Sequence, residues 1–314
     1  MQFYLAPMEG LTGYVFRNAY RKNFGDVDKY FTPFIANKKM SSKEIRDILP
    51  EHNLEMKVVP QILTNRADDF LAITKELKQY GYDTVNLNLG CPSGTVAAKQ
   101  RGAGFLSIPT VLDAFLEEIF QKCPLRISIK TRIGVESHQE WENLCAIYQK
   151  YPVEELIIHP RVQKDYYKNV PDRDLFYATV DTCKLPLCYN GDICSRMDYE
   201  DFQKQLSAKC SHTMDKIMIG RGILKNPGLI RELRGGCQLT VAEWKTFHDD
   251  VLNGYLEVLS GERNTLFRMK ELWFYMGQNF INAQKYLKQM KKVQHIAEYK
   301  VAVSMLFQEA EIKK

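Results

Sequence analysis

The sequence predicts an α/β protein, a (β/α)8 TIM barrel followed by a smaller C-terminal all-helical domain. Eight short runs rich in β-branched and aromatic residues recur along the first two thirds of the 314 residues, each followed by a stretch with helical periodicity. The runs begin at residues 2, 29, 57, 83, 125, 154, 185 and 215, about the spacing that one strand, one helix and two short loops need. A doubly wound sheet would usually carry a glycine fingerprint after its first strand, and no G-x-G-x-x-G occurs. The barrel is therefore favoured.

Hydrophobic patterning sets the bounds of the predicted elements. The predicted strands are Gln2–Pro7, Lys29–Ile35, Lys57–Leu63, Asp83–Leu89, Leu125–Thr131, Glu154–Pro160, Leu185–Asn190 and Asp215–Gly220. Amphipathic stretches between them predict helices over Asn65–Tyr80, Pro109–Gln121, Gln139–Tyr151 and Arg196–Leu206.

The strand pattern stops near residue 236, and residues 240–314 carry apolar stripes at helical spacing. We therefore expect a barrel domain over residues 1–236 and a helical domain over residues 237–314. The alternative is that these last helices merely pack on the barrel, and the sequence alone does not separate the two.

Composition excludes several classes of protein. Apolar residues make up 45% and charged residues 26% of the chain, as in ordinary globular proteins, so disordered and collagen-like classes are excluded. The first residues lack the basic segment of a signal peptide, and no run approaches the roughly 18 apolar residues of a membrane span. The eight cysteines form no C-x-x-C pair, which predicts free thiols, no bound metal and a reducing cytoplasm. A net charge of +5 permits a nucleic-acid partner without requiring one.

Polar and glycine-containing segments stand at the carboxyl ends of seven predicted strands, where a (β/α)8 barrel builds its active site. In chain order they are Ala6-Pro7-Met8-Glu9-Gly10, Pro60-Gln61, Asn86-Leu87-Asn88-Leu89-Gly90-Cys91-Pro92, Lys130-Thr131-Arg132, His159-Pro160-Arg161, Asn190-Gly191-Asp192 and Gly220-Arg221-Gly222. Because side chains alternate along a strand, Asn86 and Asn88 share one face. Polar groups that face the barrel interior need a ligand or one another.

The last two of these segments suggest a phosphate site. Their glycines offer backbone N–H groups, and Arg221 offers a cation, after strands 7 and 8, where barrels commonly hold phosphate. A phosphorylated cofactor is the leading hypothesis, and two ordinary glycine turns are the alternative.

Cys91 stands at the start of the longest connection, in the 42 residues between the starts of the fourth and fifth strands. Cys91 lies between a strand end and a proline, with Lys99 and Arg101 further along the same loop. Long loops in compact domains are usually functional. We therefore expect the Cys91 thiol to be held over a pocket, whereas the other seven cysteines are expected to be small apolar residues.

Several of these motifs, in this order, resemble the signature set of the tRNA-dihydrouridine synthase family of bacterial, FMN-dependent enzymes. The resemblance covers about residues 1 to 230, and it rests on Pro7-Met8-Glu9-Gly10, Gln61, Asn86-Leu87-Asn88-Leu89-Gly90-Cys91-Pro92, Lys130-Thr131-Arg132-Ile133-Gly134, His159, Asn190-Gly191-Asp192-Ile193 and Ile219-Gly220-Arg221-Gly222. It implies FMN and NADPH as cofactors and reduction of the C5=C6 bond of a uridine in tRNA.

The resemblance also implies roles for individual residues. Cys91 would be the proton donor, and Asn88, Lys99 and Arg101 would face the substrate. The residues that would hold the flavin are Pro7, Met8 and Glu9 at its border, Gln61 and Lys130 at the isoalloxazine edge, His159 on its polar side, and Asn190, Gly191, Asp192, Gly220 and Arg221 at the ribityl phosphate. The chain departs from the family pattern at three positions: Pro160 where a glycine is usual, Gly13 where an aspartate commonly follows the threonine, and Thr95 where a basic residue is common.

The helical tail carries a basic segment. Residues 263–300 hold eight basic and two acidic side chains, and Lys285, Lys288 and Lys292 share one helix face by their spacing. Since a barrel mouth contacts one nucleotide, affinity for tRNA must come from phosphates bound elsewhere. We expect that surface to include Arg268, Lys270, Lys285, Lys288 and Lys292. The alternative is a solvated lysine face.

Other functions remain open at this point. One is an FMN barrel that acts on a free pyrimidine or another small molecule. Another is a Schiff-base aldolase that uses Lys130 with a phosphorylated sugar. A non-catalytic RNA-binding module is a third, although it leaves the polar barrel mouth unexplained. In each case we expect a monomer that binds no membrane.

Overall fold

The computed structural model describes residues 1–309 and 311–313. Nine parallel strand segments form one sheet in the order β3-β2-β1-β9-β8-β7-β6-β5-β4. They are β1 (Gln2–Leu5), β2 (Lys29–Phe31), β3 (Val58–Val59), β4 (Gln61–Ile62), β5 (Thr84–Leu89), β6 (Arg126–Gly134), β7 (Leu156–Val162), β8 (Leu187–Tyr189) and β9 (Lys216–Ile219).

The sheet closes into a barrel at the third predicted strand, Lys57–Leu63. Its two ends, β3 and β4, are separated only by Pro60, which has no backbone N–H to continue the ladder. The two segments therefore act as one interrupted strand, and eight strands surround the interior. The predicted (β/α)8 TIM barrel is confirmed.

The helices follow the strands in the expected alternation and then continue as the tail. They are α1 (Tyr14–Asn23), α2 (Ser42–Ile48), α3 (Ala67–Gln79), α4 (Gly94–Ala97), α5 (Pro109–Lys122), α6 (Glu140–Tyr148), α7 (Arg173–Thr182), α8 (Arg196–Lys209), α9 (Arg221–Lys225), α10 (Leu229–Leu233), α11 (Val241–Val258), α12 (Glu262–Met276), α13 (Gln284–Lys292) and α14 (Ile296–Glu309). The tail also has a short antiparallel ladder, β10 (Phe280–Ile281) with β11 (Glu311–Ile312).

The chain divides into two compact units. The first comprises Met1–Pro7, Asp28–Asp192 and Glu200–Ile219 and holds the nine barrel strands. The second comprises Met8–Val27, Ile193–Tyr199 and Gly220–Lys314, of which residues 310 and 314 lie outside the described part. The predicted boundary after residue 236 falls within the second unit and stays a prediction.

The barrel interior is apolar on most strands and polar on three neighbouring ones. Seven buried residues form the apolar core cluster, namely Tyr4, Ala6, Phe31, Val59, Ile157, Cys188 and Met218. In contrast, Gln61 of β4 pairs with Asn86 of β5, and Asn86 pairs with Ser128 of β6. Paired residues of neighbouring strands share a face, so the polar groups gather on the β4–β6 side of the barrel.

A carboxylate is buried near the amino ends of the strands. Glu155 is 2% exposed, and its oxygens lie 3.2 Å from Lys29 Nζ and 3.4 Å from Lys216 Nζ. The Tyr4 hydroxyl donates to Glu155 Oε1 at 2.9 Å. Burial, followed by the charge of Glu155, raises the pKa of Tyr4 far above its ordinary value, so the phenol stays protonated. The buried charge is thus paired from three strands.

Strand β7 contains a bulge at its proline. Arg132 of β6 pairs with His159, but Gly134 pairs with Val162, so the register slips by one residue in between. Pro160 lies in this interval and cannot donate to the ladder. The bulge lies next to His159 and Arg161, at the edge of the barrel where the candidate site is found.

Candidate active site

Four buried polar side chains form a directed hydrogen-bond network, which we call the Asn88 network (Asn88, Gln61, Asn86 and Ser128). Asn88 Nδ2 donates to Gln61 Oε1 at 2.7 Å, and Gln61 Nε2 donates to Asn86 Oδ1 at 2.8 Å. Asn86 Nδ2 then donates to Ser128 Oγ at 2.9 Å, and Ser128 Oγ donates to the Val85 carbonyl at 3.1 Å. Because each amide both donates and accepts, every member of the network has a hydrogen-bond partner within the barrel.

The network ends on the backbone of Cys91. Asn88 Oδ1 accepts hydrogen bonds from the N–H groups of Gly90 at 3.0 Å and Cys91 at 2.9 Å. The Cys91 carbonyl in turn accepts from the Ala103 N–H at 3.0 Å. A Cβ at Gly102, where φ is +57°, would meet the Cys91 carbonyl oxygen at 2.8 Å. The loop that carries the half-buried Cys91 is therefore fixed from both sides.

Arg132 reinforces the same loop. Its guanidinium is fully buried and donates to the carbonyls of Gly90 at 3.1 Å, Val162 at 2.8 Å and Tyr166 at 2.7 Å. Three backbone segments are thereby tied to one planar cation. Sequence reasoning gave Arg132 no role of its own, although its position two residues after Lys130 places both on one strand face.

Lys130 is a half-buried amine beside Asn88, its register partner on β5. Burial, with a smaller contribution from the Arg132 guanidinium, lowers the pKa of Lys130 to about 8, while Cys188 and Cys91 act in the opposite direction. Its ammonium has neither a hydrogen bond nor an ion pair with any residue in 1–309 and 311–313. A cation in this setting suits an anionic or electron-rich ligand.

A second cluster joins β7 to the segment after β8. Arg161 is 1% exposed, and both of its terminal nitrogens donate to the Asp192 carboxylate, at 3.2 and 2.5 Å. Arg161 Nη1 also donates to His159 Nε2 at 2.9 Å, and Nε donates to the Asn169 carbonyl at 2.5 Å. Since a guanidinium only donates, His159 Nε2 is the acceptor and Nδ1 carries the ring proton. Sequence reasoning missed this role of Arg161, and its one signal was the two-residue spacing from His159.

The predicted phosphate segment after β8 is tightly packed. Asn190 Nδ2 donates to the Met218 carbonyl at 2.9 Å, which links the ends of β8 and β9. A Cβ at Gly191 would lie 2.0 Å from the Tyr189 hydroxyl oxygen. Gly191 therefore has no room for a side chain unless Tyr189 moves.

The remaining predicted site residues are divided between the units. Pro7 belongs to the first unit and is half-buried, like Arg101, whose Nη1 donates to the Ala36 carbonyl at 3.4 Å. Lys99 is exposed in the first unit. In the second unit, Met8 and Arg221 are half-buried, Glu9 is exposed and Gly220 precedes α9. Their roles stay predictions.

The basic residues predicted in the tail differ in their contacts. Arg268 Nη1 donates to the Gly10 carbonyl at 2.9 Å, and Lys270 Nζ donates to the carbonyls of Lys291 and Val293 at 3.2 and 2.7 Å. Lys285 is paired with Glu309 at 2.9 Å. In contrast, Lys288 and Lys292 are exposed and form no ion pair within residues 1–309 and 311–313.

Within the described part of the chain, no group of three or more histidine, cysteine or acidic side chains is arranged to hold a metal ion. No helix there combines the length and the apolar character needed to cross a membrane.

Comparison with known proteins gives the family. The model of one protein family, described as dihydrouridine synthase, matches residues 4–312. A probable tRNA-dihydrouridine synthase of Staphylococcus epidermidis is 29% identical over 229 residues, covering 72% of this chain and 69% of the relative. Probable tRNA-dihydrouridine synthase 2 of Bacillus subtilis is 29% identical over 235 residues, covering 72% and 70%. Morphinone reductase shares the fold, with a TM-score of 0.52 at 12% identity over 78% of this chain and 88% of that one.

The closed barrel, its strand-end site and the family match together define the class: the protein is a flavin-dependent oxidoreductase. Since the match spans nearly the whole chain, the protein belongs to the dihydrouridine synthase family. This confirms the resemblance seen in the sequence. It decides against the Schiff-base aldolase and the non-catalytic RNA-binding module.

Proposed function

We propose that this protein is a tRNA-dihydrouridine synthase that uses FMN and NADPH to reduce the C5=C6 bond of particular uridines in tRNA. The observation that carries the proposal is the Asn88 network, which fixes Cys91 beside a polar barrel face that includes Lys130. The names of the relatives support tRNA as the substrate.

Lys130 is the best test of whether the site fits a flavin. Its ammonium is half-buried without a carboxylate partner in the described part of the chain. A reduced flavin is anionic at its pyrimidine edge, so a cation there stabilises it. His159 adds a ring donor at Nδ1, held in place by Arg161, which suits the acceptor-rich polar side of a flavin. The donor set fits the cofactor.

A bound flavin supplies the hydride that no side chain can provide. Saturating C5=C6 also requires a proton, and we assign hydride addition to C6 and proton addition to C5. Cys91 holds that proton, because an ordinary thiol is protonated at neutral pH and this one stands on a rigid loop. Asn88 and Arg132 act on the reaction through the position of Cys91.

The cofactor phosphate and the substrate contacts complete the proposal. The sequence assigns the ribityl phosphate to Asn190, Gly191, Asp192, Gly220 and Arg221. It assigns the flavin border to Pro7, Met8 and Glu9, a second flavin-edge contact to Gln61, and substrate contacts to Asn88, Lys99 and Arg101. Gln61 uses its Oε1 and one Nε2 hydrogen within the Asn88 network, which leaves its second Nε2 hydrogen for a ligand.

The decisive experiment measures dihydrouridine itself. The purified protein is tested for bound FMN by its absorbance spectrum, and unmodified tRNA is then incubated with protein and NADPH. We expect FMN in the protein and dihydrouridine in the tRNA digest by mass spectrometry. Protein that reduces free uridine or a small molecule but not tRNA would support the free-pyrimidine alternative.

We further propose that the enzyme works as a monomer in the cytoplasm, where tRNA is modified. Light scattering of the purified protein tests the first part: a single species near 36.5 kDa is expected. A stable dimer would contradict it.

A further inference from the structure

Helices α12 and α13 line a half-open cavity of about 240 Å³ within the second unit. Its lining combines two aromatic residues, Trp273 and Phe274, with three lysines, Lys270, Lys288 and Lys291. Pockets for drug-sized ligands are typically about 300–1,000 Å³, so this one suits a single planar group.

The cavity is held open by contacts beneath it. A Cβ at Gly277 would lie 2.7 Å from Leu287 Cδ1, so Leu287 packs closely against the end of α12 and would have to shift to admit a larger residue there. Lys270 Nζ ties α12 to the last carbonyls of α13. Trp273 Nε1 donates to the Tyr299 hydroxyl at 2.7 Å, which fixes the indole. The pocket is therefore formed before any ligand arrives.

The groups at its rim are available to a ligand. Phe274 is 62% exposed, and its ring makes one edge-to-face contact, with the neighbouring Tyr275 ring at a centroid distance of 5.1 Å. Lys288 and Lys291 are exposed, and neither pairs with a carboxylate in residues 1–309 and 311–313. An exposed ring beside cations is the arrangement on which proteins stack unpaired bases while binding the adjoining phosphates.

We propose that this cavity binds one unstacked nucleobase of the tRNA substrate, with the base on Phe274 and the flanking phosphates on Lys288 and Lys291. The inference rests on the proposed function and adds to it a second nucleotide site, in the second unit. Stacking tolerates any base, so this site contributes affinity and orientation with little sequence preference.

The test uses a short single-stranded RNA oligonucleotide that contains 2-aminopurine, whose fluorescence falls when the base stacks. We expect the full-length, FMN-loaded protein to quench this probe. Phe274→Ala and Phe274→Leu should each weaken binding by about 5- to 100-fold, while Phe274→Tyr keeps the ring and stays within about twofold. Lys288→Gln and Lys291→Gln should weaken binding and flatten its salt dependence, in contrast to Lys300→Gln, an exposed lysine on α14 outside the cavity.

Two results would overturn the inference. The first is quenching by Phe274→Leu that is as strong as quenching by the wild-type protein. The second is complete displacement of the RNA by poly-glutamate at equal charge, which would indicate a general anion surface. Dihydrouridine formation by the wild-type protein is measured in parallel. If that activity is absent, the proposed function fails. The dependence of RNA binding on Phe274 would still show whether the cavity holds a nucleobase.

Discussion

The side chain of Asn88 accepts a hydrogen bond from the backbone N–H of Cys91 at 2.9 Å. This contact connects the buried polar face of the barrel to the residue that we assign as the acid. Cys91 donates the proton, whereas Asn88 holds the proton donor in place. The first two predictions test these two roles separately.

Replacing Cys91 by alanine should leave flavin content and flavin reduction by NADPH unchanged but lower dihydrouridine formation by about 10²- to 10⁴-fold, the usual effect of losing a general acid. Rapid-reaction spectroscopy measures the first step and mass spectrometry of tRNA digests the second. Cys123→Ala, in the turn after α5, is the matched control. Wild-type turnover in Cys91→Ala would remove Cys91 from the mechanism.

Replacing Asn88 should act through Cys91. Asn88→Ala removes the acceptor for two backbone N–H groups, and we expect kcat for tRNA to fall about 10- to 100-fold because the loop loses its fixed position. Asn88→Asp keeps the acceptor but cannot donate to Gln61. It should retain more activity than the alanine variant, and the reverse order would contradict the assigned role.

Lys130 should make flavin binding pH-dependent. Its pKa of about 8 means that the free enzyme carries the positive charge below pH 8 and loses it above. Affinity for FMN, measured by fluorescence titration of flavin-free protein, should therefore weaken as the pH rises through about 8. Lys130→Met should bind FMN more weakly and without this inflection. An unchanged pH profile in Lys130→Met would show that another group titrates.

His248 should make the second unit less stable in acid. It is 1% exposed, with Nε2 bonded to the Tyr299 hydroxyl at 2.7 Å and Nδ1 to Asp249 at 2.9 Å. Burial lowers the pKa of His248, partly offset by Asp249, so the folded state prefers the neutral ring. Its contribution is complete above the unfolded pKa near 6.5 and is lost as the pH falls from there through the lowered folded value. Urea unfolding between about pH 7.5 and pH 5 should show this slope, and His248→Gln should reduce it.

The tail lysines should contribute unequally to tRNA binding. Lys288→Gln and Lys292→Gln should raise the KM for tRNA and flatten its salt dependence, because both side chains are exposed without an acidic partner in the described residues. Lys285→Gln should have a smaller effect, since Lys285 already pairs with Glu309. FMN content and NADPH oxidation serve as controls. Equal effects at all three positions would indicate that the ion pair breaks when tRNA binds.

The sequence predicted the barrel because strand and helix periodicity are local properties. It did not predict the break in the third strand, although Pro60 was visible, because a proline interrupts a ladder only where its missing N–H would have paired. Likewise, spacing placed Asn86 and Asn88 on one face. It could not show that Gln61, on the preceding strand, completes the network between them.

The arginines show the same limit. Arg132 and Arg161 were visible as basic residues at strand ends, but their bonds to Gly90, Asn169 and Asp192 depend on where three separate loops return. In the tail, composition alone counted Lys270 as a free cation. The fold instead uses it to cap the carboxyl end of α13.

No member of the Asn88 network titrates in the physiological range, since amides and a serine hydroxyl gain and lose no protons there. The hydrogen bonds that position the Cys91 thiol therefore do not change with pH. The network should therefore add no pH dependence of its own to turnover, which should instead report on Lys130 and the reacting groups.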